Sequence, residues 1–200
     1  FDLMDFQDLE KKKEEEEKDN GLYKRMEESF LKKRRVFLWG VVDDKTMEKA
    51  ISQILFLDAE DPGKEIDLYI HSPGGSVTAG LTLLDVMKLI ESPVNTVCMG
   101  LAASMGSMLL SQGVKGKRKI FENGRVMIHQ PSIGGIQGQA IELEITAKQI
   151  VKTRKVLADI LAKNCGQKVE KVLKDFDRDY WMDAKEAKEY GIVDAIIKKM

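Results

Sequence analysis

Apolar positions along this chain fall into short blocks whose period switches between two and about three and a half, with turn residues between them. Arg35 to Gly40 opens the patterned part as a strand, and Asp44 to Phe56 then carries helical spacing at Met47, Ile51, Ile54 and Leu55. A strand through Ile66 to Ile70 follows, then a helix from Val77 to Ile90 that stops before Pro93. The mostly apolar run Val94 to Met99 reads as a short buried strand, and Ser104 to Leu110 with Gly113 behind it reads as a helix with a glycine stop. Asn123-Gly124 is a hairpin-turn signal. It precedes a strand from Arg125 to His129 that Pro131 brings to an end. A very long helical stretch runs from Gln139 to Asn164 and closes at Gly166. Asp183-Ala-Lys-Glu186 reads as a capping box, its helix stops at Gly191, and Ile192 to Ile197 makes a last strand. Alternating β and α elements of this kind call for an α/β fold.

The first residues break this pattern. Phe1 to Glu28 is dense in charge, and Lys11 to Asn20 is three lysines, four glutamates, then Lys-Asp-Asn. Such a block is a solvated helix or disorder. Phe1, Leu3, Met4, Phe6 and Leu9 give it a small sticky face. The expected organisation is therefore an appendage over 1–28 and one domain over 29–200. With 200 residues, 43% of them hydrophobic, the chain can bury a sizeable core in one unit. A formal net charge of -1 comes with no basic stripe, which argues against nucleic-acid binding. No apolar run approaches a membrane-spanning length, and the first residues lack a secretory signal. Cys98 and Cys165 have no metal-like spacing and fit a reducing compartment, the cytoplasm.

Candidate chemistry gathers at four places. Ser104 sits in Gly100-Leu-Ala-Ala-Ser-Met-Gly106, on a strand-to-helix turn. Unpaired N–H groups and the positive end of the helix dipole there favour negative charge on an attached oxygen. N-capping is the alternative use of such a serine. Arg125 to Pro131 presents His129, one of only two histidines, at a strand end, either as a half-buried structural imidazole or as a base. Asp175, Asp177 and Asp179 have strand spacing and would all face one way. Asp67 to Gly75 is a strand ending in a Pro-Gly-Gly turn. It is either an ordinary tight turn or half of an oxyanion hole in which the Gly75 and Met105 N–H groups converge on one carbonyl oxygen. A serine hydroxyl needs an imidazole to take its proton, and the imidazole needs a carboxylate to fix its tautomer. Ser104, His129 and Asp179 supply one of each. Their chain order differs from those of chymotrypsin, subtilisin and the α/β-hydrolases. His71, beside the glycines, is a competing base, an oxyanion aid or a packing group, of which packing is favoured.

Ser72-Pro-Gly-Gly75, Gly100 to Gly106, Met127-Ile-His-Gln-Pro131, Gly138-Gln-Ala140, and Asp177-Arg-Asp179 with Glu186 to Asp194 together resemble the proteolytic subunit of the ATP-dependent Clp protease. The likeness covers roughly Leu31 to Ile197. It implies a serine endopeptidase with Ser104 as nucleophile, His129 as base, Asp179 as orienting acid, and Gly75 and Met105 as the oxyanion hole. It further implies substrate contacts at Gly74, Ser76, Val77, Pro131, Ile133, Gly134, Gly135 and Ile136, and oligomer contacts at Gln130 and Arg178. The implied fold is a Clp-protease and crotonase-like body of repeated ββα units with a projecting strand-plus-long-helix arm.

In the resembling family that arm interdigitates between two stacked seven-membered rings. A homo-oligomer of two heptameric rings is therefore implied here, self-compartmentalising and fed with unfolded polypeptide by a separate Clp-type ATPase unfoldase. No metal or other cofactor is implied for this chain. It carries no phosphate-loop motif, and ATP belongs to the partner. The chain departs from the family's usual pattern in the extra residue at Ser132-Ile133, in residues 1–28, which do not match the axial loop, and in a histidine for the commoner asparagine at position 71. Two other readings remain. One is a structural or regulatory subunit that needs a paralogue for activity. The other is an enoyl-CoA hydratase relative, whose two-amide oxyanion hole needs no serine.

Overall fold

The computed structural model describes residues 21–132 and 138–198. The chain divides into two compact units, Phe1–Arg35 and Val36–Met200. In the first, the described part is helix α1 over residues 21–32, which exposes Leu22, Tyr23 and Met26 and ends in turns where the Lys33 and Arg34 N–H groups donate to the Phe30 and Leu31 carbonyls.

From Arg35 onward strands and helices alternate: β1 (Arg35–Trp39), α2 (Asp44–Glu60), β2 (Ile66–Ser72), α3 (Val77–Leu89), β3 (Val94–Ala103), α4 (Met105–Gln112), β4 (Lys119–Phe121) and β5 (Arg125–Ile128). Then come α5 (Ala140–Cys165), α6 (Val169–Asp175), β6 (Tyr180–Met182), α7 (Ala184–Tyr190) and β7 (Ala195–Ile197). Among the described residues these strands form one seven-stranded sheet in the order β1-β2-β3-β4-β7, with β5 also beside β3 and β6 beside β5. β3 pairs in parallel with β2, β4 and β5, whereas β6 runs antiparallel to β5. Parallel neighbours need crossovers, and α3 and α4 supply them.

Alternation along β2 fixes which side is core. Ile66, Leu68, Ile70 and Ser72 are buried, while Asp67, Tyr69 and His71 on the opposite side are half-buried. Helix α4 is buried at every position from Met105 to Ser111, as expected of a helix that is apolar or small all round. Its hydroxyls are satisfied within the helix turn, Ser107 Oγ donating to the Ser104 carbonyl at 2.6 Å and Ser111 Oγ to that of Met108 at 2.8 Å. Close approach of α3 depends on Gly80, where a Cβ would strike the Met105 side chain. Helix α5 buries only Leu157, Ala158, Leu161 and Ala162, all in its last third. Ile141, Ile145 and Val151 in its earlier part are exposed. The arm strand expected from Ile133 to Gln137 lies outside the described residues.

The structure corrects four expectations. β3 continues past Met99 to Ala103, because Gly100 at φ +90° permits a bulge that keeps the strand going. Asn123-Gly124 makes a turn without a hairpin: β4 and β5 lie one after the other beside β3, with Val97 opposite Lys119 and Leu101 opposite Arg125. Pairing to a long central strand wins over local turn preference. Asp175, Asp177 and Asp179 do not share a strand face. Asp175 ends α6, a helix absent from the pattern reading, and Asp179 directly precedes β6. Lastly, β7 begins only at Ala195, because Asp194 turns inward to Arg118 through a 2.6 Å ion pair.

Candidate active site

Three adjacent strand ends bring the candidate residues together. Ser104 follows β3, whose register sets Ala103 opposite Met127, and the Ser104 N–H donates to the Met127 carbonyl at 2.8 Å. The antiparallel register of β5 and β6 sets Ile128 opposite Tyr180, so one step further His129 meets Asp179. His129 Nε2 lies 2.8 Å from Ser104 Oγ, and His129 Nδ1 lies 3.1 Å from Asp179 Oδ1. A carboxylate accepts, so Nδ1 carries the proton and Nε2 turns its lone pair to the Ser104 hydroxyl, which donates. Two further bonds hold the strand ends in place. The Gln130 N–H donates to the Phe176 carbonyl at 2.7 Å, and the Gln130 side chain donates to the Asp177 carbonyl at 3.2 Å.

Ser104 is strained. Its φ of +53° with ψ of −121° lies where side-chain-bearing residues are rarely found, a conformation costing of order 1–3 kcal/mol. It occupies the N-cap position of α4, yet its side chain makes no capping bond. The hydroxyl is thereby left to His129, and capping does not account for this serine.

The Pro-Gly-Gly turn lies flat against this elbow. A Cβ on Gly74 would sit 2.6 Å from Ser104 Cβ and 2.9 Å from the Met105 nitrogen, and Gly74 has φ +91°. Only glycine fits on both counts. The parallel bridge from Val42 to Gly75 uses the Gly74 carbonyl and the Ser76 N–H, which leaves the Gly75 N–H outside it. Neither that amide nor the Met105 N–H at the start of α4 has an acceptor among the described residues.

The Clp protease family model matches residues 16–200. The chain belongs to the Clp protease family. It is a peptidase of the Clp type, and the mixed α/β architecture is consistent with that family's fold.

Within this Clp-type peptidase the other predicted positions separate. Val77 and Pro131 join Met105, Met108, Leu157 and Phe176 around a small apolar pocket beside Ser104 and His129. An adjoining cavity of ≈ 330 Å³ lies between Gly75, Ser76, Pro131 and the α5 residues Thr146 and Ile150. Ser76 also caps α3, its Oγ accepting from the Ala79 N–H at 3.3 Å. Ile133, Gly134, Gly135 and Ile136 lie outside the described residues. Arg178 makes no ion pair among the described residues and borders an open depression together with Asp177 and Asp179. His71 is not bonded to Ser104: its Nδ1 lies 2.7 Å from the Met99 carbonyl and its ring faces Trp39.

Sequence reasoning did not see the tether from Gln130 to Phe176 and Asp177. Its only sequence signal is the glutamine directly after the histidine. Asp175 is engaged elsewhere, accepting from Lys171 at 2.6 Å and from the Tyr190 hydroxyl at 2.9 Å. Both thiols are pushed up to about 12, Cys98 by burial and Cys165 by burial against the opposing charge of Arg118 and Lys115. Neither is a ready nucleophile. Among the described residues no group of three or more His, Cys, Asp or Glu could hold a metal ion, and no helix is long and apolar enough to cross a membrane.

Proposed function

We propose that this Clp-family chain is a serine endopeptidase that cleaves unfolded polypeptides through an acyl-enzyme. The observation that carries this is the unbroken hydrogen-bond relay from Asp179 through His129 to a strained Ser104 that caps nothing. Ser104 Oγ attacks the scissile carbonyl while His129 Nε2 takes its proton, and Asp179 holds Nδ1–H and steadies the imidazolium that forms. The Gly75 and Met105 N–H groups stabilise the oxyanion. His129 then returns the proton to the leaving amine, and water repeats the sequence to free the acid. The apolar pocket beside Ser104 takes a substrate side chain. The extended substrate adds as a strand along Ile133 to Gln137, by a recognition that reads backbone and tolerates many sequences.

Assembly completes the proposal. The chain forms two stacked heptameric rings in the cytoplasm, 1–28 is an appendage to a peptidase domain over 29–200, and a separate ATP-driven unfoldase delivers substrate. Exposed apolar residues on the early part of α5, Ile141, Ile145 and Val151 among them, support burial against another copy. Arg178 and Gln130 lie at that contact. Treating the purified chain with a fluorophosphonate probe and mapping the adduct tests the chemistry. Labelling confined to Ser104, together with hydrolysis of a fluorogenic peptide by a particle of double-ring mass, is expected. An unlabelled Ser104 in an assembled, correctly folded sample rules the mechanism out. Activity that emerges only on mixing with a paralogue would instead identify a regulatory subunit.

A further inference from the structure

A register break lies directly behind the candidate site. β2 and β3 pair Ile70 with Cys98 and then Ser72 with Ala102, so His71 alone stands opposite Met99, Gly100 and Leu101. Such a bulge disrupts the ladder locally, and here the histidine side chain bridges it. His71 Nδ1 lies 2.7 Å from the Met99 carbonyl. A carbonyl only accepts, so the Nδ1–H donates. Gly100 makes the approach possible: a Cβ there would meet Nδ1 at 3.0 Å and Cε1 at 3.3 Å, and φ is +90°. The Trp39 ring covers the imidazole with centroids 4.4 Å apart and a 30° tilt, and the His71 carbonyl accepts from the Gly40 N–H at 2.9 Å. One residue thus ties β1, β2 and β3 together.

Both strands leave this clip towards the candidate site. From His71 the chain passes through Ser72 and Pro73 into the Gly74-Gly75 turn, and from Met99 it runs on to Ser104. We infer that His71 is a positioning residue, whose Nδ1–H···O=C bond to Met99 fixes the strand carrying Ser104 against the strand carrying the Gly75 amide. This rests on Ser104 being the nucleophile. His71 touches no reacting atom, and His129 already occupies the base position. Its effect is to hold nucleophile and oxyanion donor in register, where a displacement of about 1 Å costs roughly 100-fold in rate. What does this is one N–H donor two bonds from Cβ. An asparagine amide reproduces it, and glutamine or leucine does not.

The test compares the unmodified chain with H71N, H71Q and H71L, using S104A as the blank. Steady-state kcat and KM on a fluorogenic peptide, the rate of Ser104 acylation by a fluorophosphonate, and particle mass are read for each. H71N should stay close to the unmodified chain. H71Q and H71L should lose roughly 10- to 100-fold in both kcat and acylation rate, with KM little changed and assembly intact. H71Q matching H71N overturns the inference, because a donor at the Nδ1 position then does not matter. H71N as slow as H71L overturns it as well, because the imidazole itself is then required. Should H71L fail to fold, the H71N and H71Q pair still decides. If the unmodified chain does not label at Ser104 at all, the serine-peptidase mechanism fails. Normal labelling of the unmodified chain with equal rates in every variant fails the positioning role alone.

Discussion

Two polar clusters in this molecule each pair an aspartate from the C-terminal part of the chain with a basic side chain from its middle, and they are built to opposite standards. Arg118 and Asp194 meet bidentately, Nη2 to Oδ1 at 2.6 Å and Nε to Oδ2 at 2.9 Å. The guanidinium also donates to the Asn164 carbonyl, and Asp194 Oδ2 also accepts from the Gly116 and Arg118 N–H groups. The Arg118 side chain is 3% exposed. At the other cluster the Asp179 side chain is 60% exposed and holds His129 by a single 3.1 Å contact, while the serine beyond it sits in strained backbone. Saturated, buried pairing locks one geometry. Sparse pairing on a strained turn leaves hydroxyl, imidazole and amides open to a ligand, as a reaction centre requires. Aspartate thus serves architecture at one cluster and, in the proposed mechanism, chemistry at the other.

Breaking the open cluster should abolish turnover and leave the fold alone. Ser104→Ala is expected to lower kcat by up to roughly 10⁶-fold, with an unchanged melting transition and particle mass. Residual activity well above background in a sample free of unmodified chain would separate Ser104 from the chemistry. Asp179→Asn keeps the shape and permits the wrong imidazole tautomer, so a loss of roughly 10⁴-fold is expected. Equal activity for Asn and Asp at this position would reduce the 3.1 Å contact to a surface bond.

The closed cluster should respond in stability. Asp194→Ala strands a buried guanidinium, and urea unfolding should show about 3–5 kcal/mol of destabilisation. A loss under 1 kcal/mol would mean that the comparison between the clusters has been drawn too sharply. The smallest effect is a pH dependence. Burial alone would raise the Asp194 pKa, but hydrogen bonds from the Arg118 side chain and backbone, its charge and the Gly116 N–H outweigh burial and hold the carboxyl below its ordinary value. A folded pKa below the unfolded one means that the stabilisation is complete above the ordinary carboxylate value, about 3.9, and is lost as pH falls through the folded value. Unfolding curves below about pH 4 should therefore be flatter for Asp194→Ala than for the unmodified chain. Parallel curves would remove Asp194 from the acid response.

How far the fold could be read in advance depended on the range of the deciding interaction. The helix at Val77, the capping box from Asp183 to Glu186 and the left-handed Gly166 at the end of α5 are local, and each forms where its residues indicate. Local reasoning failed where distant partners decide. The turn at Asn123-Gly124 makes no hairpin because β3 offers a parallel edge to both β4 and β5. The acids 175 to 179 look like one strand because spacing cannot distinguish a strand from the end of a helix and the turn after it. At the site, Ser104, His129, Asp179 and the paired glycines were recognisable from residue type and motif. The tether through Gln130 and the clip through His71 were not, because both end on backbone carbonyls that have no sequence signature.

By itself, then, the sequence determined an alternating α/β chain, its helix stops and caps, and the side chains able to act as nucleophile, base and acid, because periodicity, capping and functional-group chemistry are properties of a residue and its near neighbours. Only the tertiary structure decided that Ser104 would be strained and uncapped, that His129 would face it at 2.8 Å, and that Asp179 rather than Asp175 would be the acid within reach. These follow from the registers of β3 with β5 and of β5 with β6. A register is a choice among alignments that differ by one residue. It is settled by the burial of whole strand faces and by backbone bonds between segments far apart in the chain.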